Sequence, residues 1–273
     1  MKQNQLEREL QISLSLAEVA SSRIMKHYYG TYQAHDKSDG TPVTNADVES
    51  NQIILEGLRK NFPLDGIVSE ELADVPNSSG RVWYIDPIDG TKGFIGHSDQ
   101  FAVHIGLAQE NRPVLGIVYK PTTKEYYFGI EDQGAYRVHP DGSKIKLEVS
   151  TRSGIELITA TNLLLSRFGH QLICALEPQK TLVSGSEGLR MMRLAEGVAN
   201  LHIPTGAYEM NTWDLCAPQI IAEEAGAVVK YLNGNSVEYH GQRRLEKYFV
   251  AAANDSLYKH VVGEIRKVNP TIF

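Results

Sequence analysis

Cysteine is scarce in this sequence, and long apolar runs are missing. Its 273 residues include two cysteines, Cys174 and Cys216, and no CxxC pair. This excludes a disulfide framework and a cysteine-based zinc site, and it suits a reducing compartment. No apolar stretch approaches the roughly 18 residues that a membrane span needs, so we predict no membrane partner. The first apolar stretch carries Glu18, which argues against a signal peptide, and we therefore expect a cytoplasmic protein.

An excess of positive charge is also missing. The formal net charge is −6 at pH 7, and the sequence pI is about 5.9. A chain this acidic is poorly suited to a polyanion, so we predict that no nucleic acid polymer is a partner. An anionic small molecule would need a local correction of the charge, from metal ions or from a few well-placed cations.

Several catalytic motifs are absent as well. The chain has no GxxxxGK[ST], which excludes a P-loop NTPase, and it has neither GxSxG nor a Cys/His pairing for covalent catalysis. Its nine histidines form no HExxH or HxxxH motif, so a zinc centre is disfavoured. The Asp-x-Asp of haloacid dehalogenase phosphatases is replaced by Asp-x-x-Asp, which moves the second carboxylate out of that geometry.

The apolar periodicity predicts an α+β or α/β protein built from two halves. Between residues 82 and 138, strand-like segments alternate with short polar turns, which is typical of an antiparallel meander. After about residue 145, short strands alternate with helices, which is typical of an α/β arrangement. We therefore predict an N-terminal half over 1–147 and a C-terminal half over 148–273. Helices are expected near 3–29, 47–62, 187–197, 213–225 and 256–268, and further strands at DGIVSEE, ELITAT, TLVSGS, NLHI, AVVKYL and KYFVAAAN.

The stretch VWYIDPIDGTKGFI predicts a buried strand that ends in two acids. Pro87 has no N–H, so we expect the strand ladder to end there, with Asp86 at the strand end and Asp89 one turn further on. Gly90 permits a positive φ, and Thr91 can cap a following short helix whose free N–H groups would bind an anion. The motif predicts a site for metal and phosphate together, and a plain turn with capping hydrogen bonds fits the same residues.

Further acids lie at the ends of other predicted elements. Glu70 and Glu71 follow a strand, while Asp47 and Asp214 each begin a helix. Taken separately, these residues fit a solvated loop, a capping box with Thr44 and an acid at a helix dipole. Taken together, they favour Mg²⁺ or Mn²⁺, because clustered carboxylates repel one another unless they are neutralised. Two ions about 3.5–4 Å apart can clamp the attacking and leaving oxygens of an in-line phosphoryl displacement.

Three segments together resemble the inositol monophosphatase superfamily. DPIDGTKGF, SEE after a strand, and WDLCAPQIIAEEAG occur in the right order, and the resemblance spans nearly the whole chain. DGTKGFI followed by QFAVHIGLA, together with WDLCAP, is most similar to the 3'(2'),5'-bisphosphate nucleotidases. The resemblance implies a layered αβαβα sandwich, the sugar-phosphatase fold, with the site between the two halves.

The resemblance also implies a set of metal ligands. Glu70, Asp86 and the carbonyl of Ile88 would hold one Mg²⁺ ion, and Asp86, Asp89 and Asp214 would hold a second. A third, looser ion would rest on Glu70 through water. Two or three ions are thus expected, with Mn²⁺ as a possible substitute and Li⁺ as an inhibitor. The N-terminal half would supply most ligands, and the C-terminal half would supply Asp214 and part of the substrate site.

The same resemblance assigns the catalytic and substrate-binding roles. Thr91 would orient the attacking water, and Asp47 would accept its proton. Arg190 stands where the family often has lysine, whereas Glu187 and Gly188 depart from the serine pair of some members. The residues expected to bind substrate are Gly90, Thr91, Lys92, Ser186 and Arg190. We expect His104, which lies in an apolar strand, to be a core histidine.

The expected activity is removal of the 3'-phosphate of adenosine 3',5'-bisphosphate to give AMP. Inositol phosphate, histidinol phosphate or a sugar phosphate are alternative substrates for the same chemistry. A different class, a phosphate-binding regulatory protein without turnover, is disfavoured because a pure binder would not need Asp47 and Thr91. The expected partner is a small phosphorylated substrate, and the resemblance implies either a monomer or a homodimer.

Overall fold

The computed structural model describes residues 2–37, 40–152, 154–160, 167–182, 185–204, 210–245 and 247–272. Residue 161 of the predicted strand ELITAT and residues 183 and 184 of TLVSGS lie outside the described residues. Every residue predicted for the site lies within them.

The helices form where the sequence predicts them, with two additions, a helix at Arg167–Leu176 and a short 3-10 helix near the end of the chain. The bounds are α1 (Lys2–Tyr29), α2 (Asn45–Asn61), α3 (Thr91–Ile95), α4 (Arg167–Leu176), α5 (Glu187–Ala195), α6 (Thr212–Glu224), α7 (Asp255–Val268) and a 3-10 helix at Pro270–Ile272. Sequence reasoning missed α4, in which Gly169 lowers the helix propensity. Its buried residues Leu172 and Leu176 are four apart, and this spacing was the available signal.

The N-terminal half forms the predicted antiparallel meander. Its strands are β1 (Ala34–Asp36), β2 (Pro42–Thr44), β3 (Gly66–Ser69), β4 (Arg81–Asp89), β5 (Ala102–Gln109), β6 (Arg112–Lys120), β7 (Glu125–Ile130), β8 (Gly134–Val138) and β9 (Lys144–Lys146). Within the described residues, β3 to β9 form one seven-stranded sheet in sequence order, and β1 pairs with β2. β3 runs parallel to β4, so the carboxyl ends of these two strands lie side by side.

The prediction that the β4 ladder ends at Pro87 is wrong. β4 continues to Asp89, and its pairing with β5 shifts register between Asp86, which faces His104, and Asp89, which faces Ala102. Three residue steps on β4 therefore face two on β5, which is a β-bulge. A proline is tolerated at a bulge because the local ladder is already interrupted there.

The C-terminal half has a mixed sheet whose strands mostly alternate with helices along the chain, as predicted. Its strands are β10 (Leu157–Ala160), β11 (Lys180–Leu182), β12 (Leu201–Ile203), β13 (Val228–Tyr231) and β14 (Phe249–Ala252). Among the described residues their order is β11-β10-β12-β14-β13, and β10 runs parallel to both of its neighbours.

These elements stack in five layers, which confirms the predicted αβαβα sandwich. The helices α1 and α2 pack on one face of the large sheet, while α5 and α6 pack between its other face and the second sheet. α4 and α7 cover the outer face of the second sheet. Among the described residues, no helix combines the length and the apolar character that crossing a membrane requires.

A row of glycines lets α6 lie directly on the large sheet. Gly106, Gly116 and Gly129 are direct neighbours on β5, β6 and β7. A Cβ at Gly116 would lie 2.8 Å from the Cα of Ala217 on α6, so no side chain fits there. This close approach fixes the height of α6 above the sheet, and with it the position of Asp214.

Candidate active site

The acids predicted to form a site meet between the two halves. Asp86 and Asp89 lie at the end of β4, and Glu70 follows the adjacent parallel strand β3. Asp214 comes from the first turn of α6, and Asp47 comes from the first turn of α2. The charge of Asp86 interacts with Glu70, Asp89 and Asp214, so residues that are far apart along the chain share one location.

Asp86 and Asp214 form the centre of this cluster. Asp86 is 2% exposed, and its Oδ1 accepts a hydrogen bond from the backbone N–H of Ile88 at 2.9 Å. Burial raises the pKa of both Asp86 and Asp214 well above the usual range, and the neighbouring carboxylates raise it further. The charge of Asp214 contributes to the raised pKa of Asp86, so the two side chains lie close together.

Asp89 has the opposite electrostatic environment. Its Oδ2 accepts hydrogen bonds from the Ser186 hydroxyl at 2.5 Å and the Gly188 N–H at 2.8 Å, and its Oδ1 accepts from the Glu187 N–H at 3.1 Å. His104 Nε2 lies 3.1 Å from the same carboxylate. Burial alone would raise the pKa of Asp89, but His104 and these hydrogen bonds outweigh it and lower the pKa. His104 is buried as expected, and its contact with Asp89 was not predicted.

Asp47 and Thr91 form the contact that the predicted catalytic pair needs. Thr91 Oγ1 lies 3.2 Å from Asp47 Oδ1 and 3.3 Å from the Ile88 carbonyl. The capping box is also present, because Asp47 Oδ2 accepts from the Thr44 N–H at 2.8 Å and from its hydroxyl. Burial raises the pKa of Asp47 to about 6, against the lowering effect of the Thr44 hydrogen bonds.

The helix that follows the motif begins differently from the prediction. Gly90, not Thr91, is the N-cap of α3, and Thr91 is its first helical residue. Gly90 has a φ of 95°, and a Cβ there would lie 2.5 Å from the carbonyl oxygen of Gln100. Thr91 is not a cap because its hydroxyl is directed to Asp47 and to the Ile88 carbonyl.

Comparison with known proteins shows the family of this chain. The model of the inositol monophosphatase family matches residues 5–269. The chain belongs to the inositol monophosphatase family. Solved structures share the layered fold. The extragenic suppressor protein suhB of Bartonella henselae superposes with a TM-score of 0.82 at 22% identity, covering 95% of this chain and 99% of that one. The Thermotoga maritima IMPase gives a TM-score of 0.80 at 24% identity, with 97% and 100% covered.

The sequence relatives of this chain are named for two different activities. The 3'(2'),5'-bisphosphate nucleotidase CysQ of Salmonella typhimurium is 34% identical, covering 82% of this chain and 91% of the relative. The CysQ of Aggregatibacter actinomycetemcomitans is 30% identical, with 85% and 87% covered. The histidinol-phosphatase of Chlorobaculum parvum is also 30% identical, with 94% and 96% covered.

The acid cluster of this inositol monophosphatase family member offers carboxylate oxygens, which are the ligands that a hard divalent cation prefers. In the part of the chain that is described, no group of three or more His, Cys, Asp or Glu side chains is arranged to hold a metal ion. Two of the acids bind protein donors instead: Asp89 accepts from the backbone of α5, and Glu70 pairs with Lys37. A cation bound at Asp86 and Asp214 would neutralise both carboxylates at once. The ligand set stays a prediction.

Lys37 is a part of the site that sequence reasoning missed. Its Nζ lies 2.7 Å from both Glu70 Oε1 and Glu71 Oε1. Burial raises the pKa of Glu71 to about 7, with a contribution from the charge of Glu70. Burial would lower the pKa of Lys37, but the two glutamates outweigh it and raise the pKa. The turn-rich sequence around Lys37 gives no periodic signal for this contact.

Arg243 is a second residue that sequence reasoning missed. It lies in the C-terminal half, after β13, yet its Nη2 donates to the carbonyl of Ser69 at 2.8 Å and to that of Glu70 at 3.1 Å. Its Nη1 pairs with Asp74, and its guanidinium lies 4.7 Å from the ring centroid of Trp213. Arg243 therefore holds the backbone of Glu70 against the residue that precedes Asp214.

Arg190, one of the predicted substrate-binding residues, is bound to another protein group. Arg190 is 3% exposed, and its Nη2 pairs with Glu187, whose Oε1 also contacts His202. Burial would raise the pKa of Glu187, but His202 and Arg190 outweigh it and lower the pKa. Arg190 is thus buried in the protein, and Glu187 engages part of its guanidinium before any substrate binds.

The other substrate predictions remain open to test. Ser186 caps α5 by accepting from the Leu189 N–H at 3.1 Å while its hydroxyl donates to Asp89. Lys92 is exposed on α3, next to the Gly90–Thr91 motif. The substrate roles of Gly90, Thr91, Lys92, Ser186 and Arg190 stay predictions.

Proposed function

We propose that this phosphatase of the inositol monophosphatase superfamily removes the 3'-phosphate of adenosine 3',5'-bisphosphate, with Mg²⁺ as the cofactor. The contact between Asp47 and Thr91, beside the acids of β4 and α6, carries the proposed chemistry. The nucleotide substrate is supported by the relatives named 3'(2'),5'-bisphosphate nucleotidase, at 30–34% identity.

The roles of the protein groups follow from this contact. A water oxygen attacks the phosphorus, the bond to the 3'-oxygen breaks, and the 3'-oxygen takes up a proton from solvent. Inorganic phosphate and AMP are the products. Thr91 can accept a hydrogen bond from that water while it donates to Asp47. Asp47, with a pKa of about 6, is ionised at neutral pH and can take the water proton. Bound Mg²⁺ would neutralise the phosphoryl oxygens and activate the water.

Histidinol phosphate is a second candidate substrate. The Chlorobaculum parvum histidinol-phosphatase matches 94% of this chain, a larger share than either CysQ relative above. Glu187 and Gly188 also stand where a serine pair would favour the nucleotide.

A substrate panel tests the proposal directly. Phosphate release is measured with adenosine 3',5'-bisphosphate, histidinol phosphate, inositol 1-phosphate and a sugar phosphate, each with Mg²⁺, with EDTA, and with Mg²⁺ plus Li⁺. We expect the highest kcat/KM for the nucleotide, no turnover in EDTA, and inhibition by Li⁺. Much faster turnover of another phosphate would reassign the substrate. No release from any of them would favour a regulatory phosphate-binding protein.

A further inference from the structure

A cavity with several cations lies directly beside the acid cluster. Its volume is about 230 Å³, and the residues that line it include Lys120, Arg137, Arg190 and Arg193. Among the described residues that line it, Glu125 is the one carboxylate. This concentration of positive charge is unexpected in a chain with a net charge of −6, and it is the local correction that an anionic ligand requires.

Most of these cations are already paired with carboxylates. Arg137 binds Glu125 and Glu196, and Arg193 binds Glu196 at 3.2 Å. Lys120 differs from them, because no carboxylate among the described residues lies within ion-pair distance of its ammonium. Among the described residues, the four cations of the cavity thus have three carboxylate partners, which are Glu125, Glu196 and Glu187, the partner of Arg190.

The cavity and the acid cluster share structural elements. Gln100 lines the cavity, and its carbonyl packs against Gly90 of the phosphate motif. Gly188 on α5 donates to Asp89, and Arg193 lies on the same helix. At about 1.5 Å of rise per residue, the backbone of Arg193 is about 7.5 Å further along the helix axis than Gly188.

We propose that Lys120 binds the phosphate that the enzyme does not hydrolyse. This rests on the proposed function, in which the substrate carries two phosphates on one ribose. With the 3'-phosphate at the acid cluster, the 5'-phosphate would enter the cavity beside Lys120 and Arg193. Leu182 and Leu189 line the same cavity and give an apolar wall for the sugar. A lysine ammonium is a point charge that commonly binds phosphate.

The test compares two substrates that differ only in the second phosphate. kcat/KM is measured for adenosine 3',5'-bisphosphate and for adenosine 3'-monophosphate with Mg²⁺, in the wild type, Lys120→Gln and Lys120→Arg. We expect the ratio of bisphosphate to monophosphate kcat/KM to fall about tenfold in Lys120→Gln, because a charge-assisted contact is lost. Lys120→Arg should retain most of the ratio. An unchanged ratio in Lys120→Gln overturns the proposal.

Lys124→Gln is the matched control. Lys124 is exposed in the turn after β6, four residues from Lys120, and it is not among the residues that line the cavity. The substitution removes the same charge, so an effect of overall charge on nucleotide binding would appear equally in both variants. The ratio should be unchanged in Lys124→Gln, and an equal fall in both variants would contradict a specific role for Lys120.

A binding measurement separates this proposal from the proposed function. The Kd of AMP, which carries the retained 5'-phosphate, and that of adenosine are measured by calorimetry. We expect Lys120→Gln to weaken AMP binding about tenfold and to leave adenosine binding unchanged. If the wild type hydrolyses neither nucleotide, the proposed function fails. The role of Lys120 is still decided, because equal AMP affinity in the wild type and Lys120→Gln overturns it.

Discussion

Neighbouring carboxylates in this site have opposite electrostatic environments. Asp89 accepts hydrogen bonds from Ser186, Gly188 and Glu187, so its charged form is stabilised and its pKa is lowered. Asp47 also accepts three hydrogen bonds, but its burial outweighs them and the charge of Glu70 adds to the effect, so its pKa is raised; Asp89 has His104 beside it instead. The first environment suits a permanent charge, and the second suits a group that accepts and releases a proton.

The raised pKa of Asp47 predicts a pH dependence of folding stability. The pKa is about 6 in the folded protein against a reference value of 3.8. A raised folded-state pKa stabilises the fold below the unfolded value, and this stability is lost as pH rises through the folded value. Relative to Asp47→Asn, the metal-free wild type should lose about 2.4 kcal/mol of unfolding free energy between pH 4 and pH 7, at about 1.4 kcal/mol per pKa unit, because pH 4 already lies above the reference value.

Urea unfolding in EDTA at several pH values measures this difference. Asp132→Asn, at an exposed position of the turn after β7, is the control and should show the wild-type pH dependence. A difference between the wild type and Asp47→Asn that is the same at pH 4 and pH 7 would show that Asp47 does not titrate in this range.

At the scale of elements, the position of α6 decides where Asp214 lies. The helix lies on Gly106, Gly116 and Gly129, and its own contact residues Cys216 and Ala217 are small. Backbone therefore packs closely on backbone, which gives α6 little freedom to shift. In a protein interior this dense, even one added methyl group displaces the neighbouring atoms.

Gly116→Ala should therefore destabilise the protein and displace α6. The new Cβ would meet the backbone of Ala217, which cannot move without its helix, so we expect a loss of about 1–3 kcal/mol. Turnover should fall as well, because Asp214 would shift with the helix. Thermal unfolding and phosphate release measure both effects.

Gly263→Ala is the matched control for this prediction. Gly263 lies inside α7, and no heavy atom lies within 4 Å of a Cβ built there. The same added methyl group should stabilise α7 by up to about 1 kcal/mol, through helix propensity alone. If Gly116→Ala behaved like Gly263→Ala, the glycine row would not set the position of α6.

At the scale of the whole molecule, the site depends on contacts between its two halves. Asp89 of the N-terminal half binds α5 of the C-terminal half. Arg243 of the C-terminal half binds the backbone carbonyls of Ser69 and Glu70 in the N-terminal half. The relative position of the halves therefore determines whether Glu70 and Asp214 can act on the same ion.

Removing Arg243 should weaken metal binding more than it weakens the fold. The guanidinium holds two carbonyls and a ring face, and a lysine cannot replace that geometry. We expect Arg243→Lys to lower Mn²⁺ affinity by about 10–100-fold, the usual cost of losing a group that orients metal ligands. Electron paramagnetic resonance titration of Mn²⁺ measures the affinity directly, without relying on turnover.

Arg59→Lys, at an exposed position in the last turn of α2, is the control for a general effect of arginine replacement. It should leave Mn²⁺ affinity unchanged. Wild-type Mn²⁺ affinity in Arg243→Lys would mean that Arg243 joins the two halves without orienting Glu70.

The sequence by itself determined most of the helices and strands, their order and the family. Apolar periodicity is a local property, so the helices near α1, α2, α5, α6 and α7 and the β4–β8 meander follow from it. The family was identified by the motif around Asp86 and Asp89 and by the later Trp213–Asp214 pair. The order of such short motifs is a property of the sequence and needs no tertiary structure.

Only the tertiary structure decided which partner each acid has. Lys37 reaches Glu70 and Glu71, Arg243 reaches Glu70 across the two halves, and Glu187 turns inward to His202. The continuation of β4 past Pro87 likewise depends on its pairing with β5. These contacts join residues that are distant in sequence, and they are set by how the layers pack, which no local pattern encodes.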